Sequence, residues 1–256
     1  YNKDLLTEED VKSLEACLAK GEVAFETTNS WYLPAFFFAN GGTMFGDGTD
    51  GAAGITFGGE AGAAATLYVA NALANGLMIE GGGGVGLDKM RSGEIGAMFS
   101  GTWDAKDVYN ALGDNWAAAV PPCITIDGEA KQMLSFGGSK AIAANPHTKY
   151  PQVAAALAAW LGSAEMQELH FDLRNGEVIP CVSALLTNEK FSANPAAVAQ
   201  NDTIANTSKL QPSIPEMGTY WGNADPMGKA LVNGEINADN AADMTETWNT
   251  GLNGGL

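Results

Sequence analysis

Residues 87–104 read Leu-Asp-Lys-Met-Arg-Ser-Gly-Glu-Ile-Gly-Ala-Met-Phe-Ser-Gly-Thr-Trp-Asp. Residues 87–91 form a short helix that Ser92-Gly93 closes. Residues 95–99 are a buried strand, which delivers the chain into Gly101-Thr102-Trp103-Asp104. The same alternation continues on both sides. A strand at 23–25 precedes an apolar, aromatic segment, 31–39, that turns helical after Pro34. An Ala-rich helix over 60–75 ends at Gly76, and an apolar helix is expected over 150–161. Ser163 caps the next helix through residue 173, and Asn194-Pro195 starts another over 196–206. Helices follow at 227–232 and 237–248, with residues 7–20 forming one amphipathic helix at the start. Strands are also expected at 44–45 and 55–57 around a turn, at 116–120 and within 132–144. Short strands alternating with helices indicate an α/β fold.

The chain has 256 residues, with 13 Lys plus Arg against 30 Asp plus Glu, a net charge of −17. Such a surface repels phosphate, which excludes nucleic acid and anionic membrane as partners. Apolar residues make up 46%, enough for a core. No apolar run is long enough to span a membrane. Of the three cysteines, Cys17 reads as a buried apolar residue, while the sequence allows a Cys123–Cys181 bridge. Asp47 and Asp50 lack the ligand series of a calcium loop, and no zinc motif is present, so no metal or cofactor is expected.

Catalysis finds little support. His147 lies in a turn and His170 inside a helix, and no nucleophile elbow exists. Carboxylates are abundant, so a glycosidase pair remains formally open. The aromatics say more. Trp31-Tyr32, Trp103 and Tyr220-Trp221 stand at loops or element ends beside polar and small residues. There they either pack or face a cleft, where flat rings cover the apolar faces of sugars and Asn, Asp or Glu serve the hydroxyls.

The order of these motifs resembles the extracellular solute-binding proteins of bacterial ABC importers, in the maltose- and oligosaccharide-binding group. Tyr1-Asn2-Lys3-Asp4-Leu5-Leu6 is similar to the family segment that follows the first crossing into the C-terminal lobe. Asn29-Ser30-Trp31-Tyr32 with Asn40-Gly41-Gly42 is similar to the aromatic loop and helix lining the sugar cleft. Residues 91–98 with Gly101-Thr102-Trp103 resemble the unit presenting a sugar-stacking Trp. Pro212-Ser213-Ile214-Pro215-Glu216-Met217 with Tyr220-Trp221 resembles the loop bearing a second one. Residues 141–165 resemble the lobe-crossing strand and its Ala-rich helix.

The resemblance implies a periplasmic-binding-protein-like fold of class II, with the C-terminal lobe and part of the N-terminal lobe present. Residues 1–122 and 183–256 would form the C-terminal lobe, and 123–182 would complete the N-terminal lobe. Trp31, Tyr32, Trp103, Tyr220 and Trp221 would contact the sugar. Asn29 stands where maltose binders often carry a Glu, and Asp225 where an Arg is common, which exchanges a donor for an acceptor and argues against maltose itself. The implied partners are an oligosaccharide and the membrane subunits of an ABC permease. The implied location is extracytoplasmic, as a cell-surface lipoprotein or in the periplasm. The first segment of the N-terminal lobe is expected to precede Tyr1. The middle stretch is then expected to fold against the C-terminal lobe, swap with a neighbour or pair with a separate N-terminal fragment. A receptor for a polyamine or peptide, and a glycoside hydrolase, are the alternatives; a receptor without catalysis is the leading expectation.

Overall fold

Val23, Ala24 and Phe25 are all buried and form the central strand, β1 (Val23–Phe25), of a small parallel sheet. A computed structural model describes residues 1–254. The first half of the chain runs α1 (Leu14–Leu18), β1, α2 (Pro34–Ala39), α3 (Gly59–Ala74), β2 (Met78–Glu80), α4 (Val85–Ser92), β3 (Ala97–Met98) and α5 (Thr102–Leu112). Then come β4 (Cys123–Ile126), β5 (Glu129–Gln132), β6 (Ser135–Gly137), α6 (Pro151–Leu161), α7 (Ala164–Leu173), α8 (Glu189–Ser192) and α9 (Pro195–Asn206). The last elements are β7 (Ser208–Leu210), α10 (Met217–Asn223), α11 (Asp225–Val232) and α12 (Ala241–Leu252). The mixed α/β class is as expected.

The sheet order is β2-β1-β3, with Val23 opposite Met78 and Ala97. Parallel neighbours require crossovers, which α3 and α4 supply. Side chains alternate across a strand. Val23 and Phe25 therefore enter the large core with Phe36, Phe37, Phe57 and Trp248, while Ala24 faces a second cluster of Met90, Ile95 and Val108. Gly93, at φ 76°, closes α4 in the left-handed conformation that glycine adopts without strain.

Several local expectations change. Residues 7–20 are not one helix. Ser13 is extended, caps α1 through Ala16 N and bridges to Cys123, so it breaks the helix in two. Residues 44–45 and 55–57 meet only at a Met44–Ile55 bridge, and the 116–120 strand reduces to an Asn2–Trp116 bridge. Strands β2 and β4 and the helix α5 stand where none was expected. The β4–β5 hairpin turns through Asp127 and Gly128, at φ 55° and 78°, the signature of an Asp-Gly turn. The allowed Cys123–Cys181 bridge is absent, and all three cysteines are free. Cys123 sits in the hairpin opposite Gln132, whereas the exposed Cys181 is tied by its backbone N–H to Gln167 Oε1 at 2.7 Å.

The middle stretch does not leave the main body at Cys123. Ile124, Ile126, Met133 and Phe136 are buried in the large core, because the hairpin and β6 turn one apolar face onto it. The chain departs after Gly137 and returns at Ser208, where β7 lies parallel to β6 with Phe136 opposite Lys209. Residues 138–207 form that crossover and carry a small cluster of their own around Phe171, Phe191 and Ala197. Helix α6 buries no residue, and Val153, Leu157 and Trp160 are exposed. Residues 183–207, expected in the C-terminal unit, lie within this crossover, and residues 255 and 256 lie outside the described residues.

Candidate functional site

In an open parallel sheet, loops leaving the carboxyl ends of the strands form the natural ligand crevice. Here those loops follow β1 and β3. They border a cleft of about 680 Å³ whose walls include Asn29, Trp31, Tyr32, Phe99, Trp103 and Phe136.

The loop after β1 is held by its own polar residues. Thr28 donates from its backbone N–H and its hydroxyl to the Glu80 carboxylate at 3.3 and 3.1 Å. Asn29 accepts from Trp31 N at 2.9 Å through Oδ1 and donates to Glu26 Oε2 at 2.8 Å. Asn29 is therefore largely spent on shaping the turn that presents Trp31, rather than pointing freely at a ligand. The Tyr32 ring lies edge-on to Phe25 at 6.2 Å. Burial first, then the negative charges of Glu26 and Asp104, push its hydroxyl well above the usual phenol range, so it stays a proton donor.

The loop after β3 is anchored where Phe99 N donates to Ala24 O at 2.9 Å. The Ser100 hydroxyl donates to Asp104, and the Thr102 hydroxyl donates to Glu177 O at 2.7 Å. Trp103 stands in the first turn of α5 and is 57% exposed. Its ring folds over Gly101 so closely that a Cβ there would lie 2.1 Å away, so a larger residue at 101 would displace the exposed indole.

Trp221 comes from α10 and stacks against Trp31, with centroids 6.4 Å apart and planes 8° from parallel. Phe136, from β6, backs both rings at 5.2 and 6.0 Å. This residue was missed in the sequence; the signal was an aromatic beside Gly137-Gly138 in a strand-like run.

Two of the residues expected at the ligand are placed differently from the others. Tyr220 is wholly buried, and its hydroxyl donates to Ser30 O at 2.5 Å. It is a core residue that fixes the Trp31 loop from below, with no ring face open to a ligand. Asp225 is exposed at the first turn of α11, where a carboxylate complements the helix dipole, and like Trp221 it does not itself line the cleft. Asn29, Trp31, Tyr32, Trp103 and Trp221 are the expected residues that gather at or behind the cleft. Ser100, Asp104, Ser139, Lys140, Gln200 and Gln211 add polar groups to its lining.

Residues 1–200 match the family model described as bacterial extracellular solute-binding protein. A structure determined with acarbose is 45% identical, with a TM-score of 0.92, over 99% of this chain and 67% of that one. A maltodextrin-binding protein from L. casei BL23, without ligand, is 27% identical with a TM-score of 0.84, over 99% of this chain and 68% of that one. The maltose-maltodextrin binding protein of Alicyclobacillus acidocaldarius shares the fold at 19% identity and a TM-score of 0.78, over 98% of this chain and 68% of that one. No match is found among curated proteins. The chain thus spans about two thirds of the length of these structures. With the matched residues, the strand-end cleft and this similarity taken together, the chain belongs to the bacterial extracellular solute-binding proteins, an extracytoplasmic family.

Proposed function

We propose that this protein is an oligosaccharide receptor of the maltodextrin type that delivers its ligand to the membrane subunits of an ABC importer. The observation that carries the reading is a cleft lined by Trp31 and the exposed Trp103, with Trp221 stacked against Trp31. Ring faces bind the apolar faces of sugars, and the cleft's carboxylate, amide and hydroxyl groups serve the sugar hydroxyls. The 45% identity to a protein bound to acarbose supports the same ligand class. The protein works by binding, not by chemistry: ligand gripped from two sides shifts the population toward a closed form.

The bare apolar face of α6 is read as part of a second lobe, to be covered in the full-length receptor. Among the described residues no helix is long and apolar enough to cross a membrane. We assign the receptor to the cell surface as a lipoprotein or to the periplasm; metabolic lipid labelling separates the two. Titration of intrinsic Trp fluorescence in the full-length protein with acarbose and maltodextrins tests the ligand class. A saturable change is expected. No response to any sugar, with a response to spermidine, would replace this reading by a polyamine receptor. Release of reducing ends from the bound glycan would replace it by a hydrolase.

A further inference from the structure

We propose that Phe136 is a positioning residue that couples the two-strand hinge to the tryptophan platform, so that hinge angle and ligand stacking are one equilibrium. The proposal rests on the sugar reading above. Its geometry is independent of it.

Strands β6 and β7 are the outgoing and returning paths of the 138–207 excursion, and they run side by side. Any swing of that excursion relative to the large core must bend this pair, and must also release the Thr102 hydroxyl from Glu177 O and slide α9 on α5. Gly138, next in the chain, is exposed with nothing within 4 Å of a Cβ, so the bend meets no steric stop there. Gly137 packs against Ser208, where a Cβ would lie 2.7 Å from the hydroxyl oxygen, which keeps the two strands together as they bend.

Phe136 lies on this pair, one residue before Gly137, and its side chain does not face the excursion. It is 5% exposed and enters the aromatic cluster. Its ring centroid is 5.2 Å from Trp31, 6.0 Å from Trp221 and 6.2 Å from Tyr220. Packed interiors transmit displacement rather than absorb it. A rotation of the Phe136 backbone therefore re-aims both indoles. By linkage, a ligand that fixes the indoles biases the hinge to the same extent. Phe38 meets Phe136 edge-on with ring centroids 5.4 Å apart and has no ring contact with Trp31 or Trp221, so it provides a packing control.

The test uses the full-length receptor with acarbose as the probe. Affinity and fluorescence amplitude are read by titration, and closure by small-angle X-ray scattering, well below the melting temperature. Phe136→Leu is expected to weaken binding about tenfold, the effect of one lost anchor-scale contact. It should also shrink both the fluorescence change and the ligand-induced compaction. Phe38→Leu should lower thermal stability and leave all three readouts near wild type. If Phe136→Leu does not fold, Phe136→Met is expected to shift the readouts in the same direction. Wild-type affinity and compaction in the Phe136 variant, or equal losses in Phe38→Leu, would overturn the inference. Absence of acarbose and maltodextrin binding by the wild type would instead defeat the sugar reading, and this coupling with it.

Discussion

Trp31 and Trp221 lie 190 residues apart in sequence (221 − 31), yet their indole planes are within 8° of parallel at a centroid separation of 6.4 Å. One ring rides on the loop after β1, the other on α10. Removing either exposes the other and opens a gap beside Phe136. Trp221→Ala should therefore weaken oligosaccharide binding by about 1–3 kcal/mol, the cost of losing a buried anchor. Trp103→Ala should cost a similar amount from the other wall. Isothermal titration on the full-length protein measures both, and unchanged affinity in the two variants would make the rings structural.

Tyr220 supports this platform from beneath. Its hydroxyl donates to Ser30 O inside the core. Tyr220→Phe leaves that carbonyl without its partner and should cost about 1–3 kcal/mol of stability. Because the ring itself is kept, sugar affinity should fall far less than in Trp221→Ala. Urea unfolding together with ligand titration separates the two effects.

Glu15 ties α1 to two neighbours. It accepts from Thr125 N at 2.6 Å, from the Ser13 hydroxyl at 2.7 Å and from the Tyr68 hydroxyl at 2.9 Å. Burial raises its pKa, but these hydrogen bonds outweigh that and bring it below the ordinary value of 4.5. The folded state therefore binds this proton less tightly than the unfolded chain. The resulting stabilisation is fully present above pH 4.5 and is lost as pH falls through the lower folded value. Glu15→Gln should be less stable than wild type at pH 7 and should converge with it below pH 4.5, as measured by melting temperature against pH.

Two side chains of α12 and its C-cap residue, Asn253, act as a substitute strand for residues 55–59. Asn253 accepts from Ile55 N at 2.7 Å and donates to Ile55 O at 2.9 Å. Asn249 accepts from Phe57 N at 2.9 Å, and Glu246 from Gly59 N at 3.2 Å. Asn253→Ala orphans both polar backbone groups of a buried residue, at about 1–3 kcal/mol each. Asn253→Asp keeps the acceptor and should lose only part of that. Thermal unfolding of the two variants gives the comparison.

Two nearby glycines should respond differently to alanine. A Cβ on Gly62 would fall 1.9 Å from Phe57 O, deep in the crossing of α3 and α12. Gly59 has open space but sits at φ 66°. Gly62→Ala should cost more than the usual overpacking penalty of about 1–3 kcal/mol. Gly59→Ala should cost only the left-handed strain of about 1–2 kcal/mol. Soluble yield and melting temperature would rank them.

Where the sequence carried strong local signals, they matched the structure. Pro34, Pro151 and Pro195 each stand at the start of their helices, Ser163 is the cap it was read to be, and Asn194-Pro195 opens the helix it was read to start. Helix 7–20 failed because Ser13 exchanges a helical position for a cap and a bridge to Cys123, a tertiary contact invisible in periodicity. The β4–β5 hairpin was legible in Asp127-Gly128 and was overlooked. The helix α5 was overlooked although its residues, Thr102 to Leu112, have the amphipathic pattern of a surface helix; it buries only Thr102 and Val108. In the site, loop aromatics could be found by their neighbours. The burial of Tyr220 could not, since a tyrosine beside a tryptophan reads alike whether its hydroxyl meets a sugar or the carbonyl of Ser30.

The excursion from Gly137 to Ser208 begins and ends on adjacent hydrogen-bonded strands, so its two roots are neighbours in space. Seen as engineering, the segment is an insert whose chain enters and leaves the lobe at one place, with a side contact to α5 through Glu177 and α9. It could be exchanged for a short turn, or for the corresponding insert of a relative with other sugar preferences, with the large core left unbroken. A chimera spliced at Gly138 and Thr207 would thus move the cleft residues Ser139, Lys140 and Gln200 between proteins as a cassette.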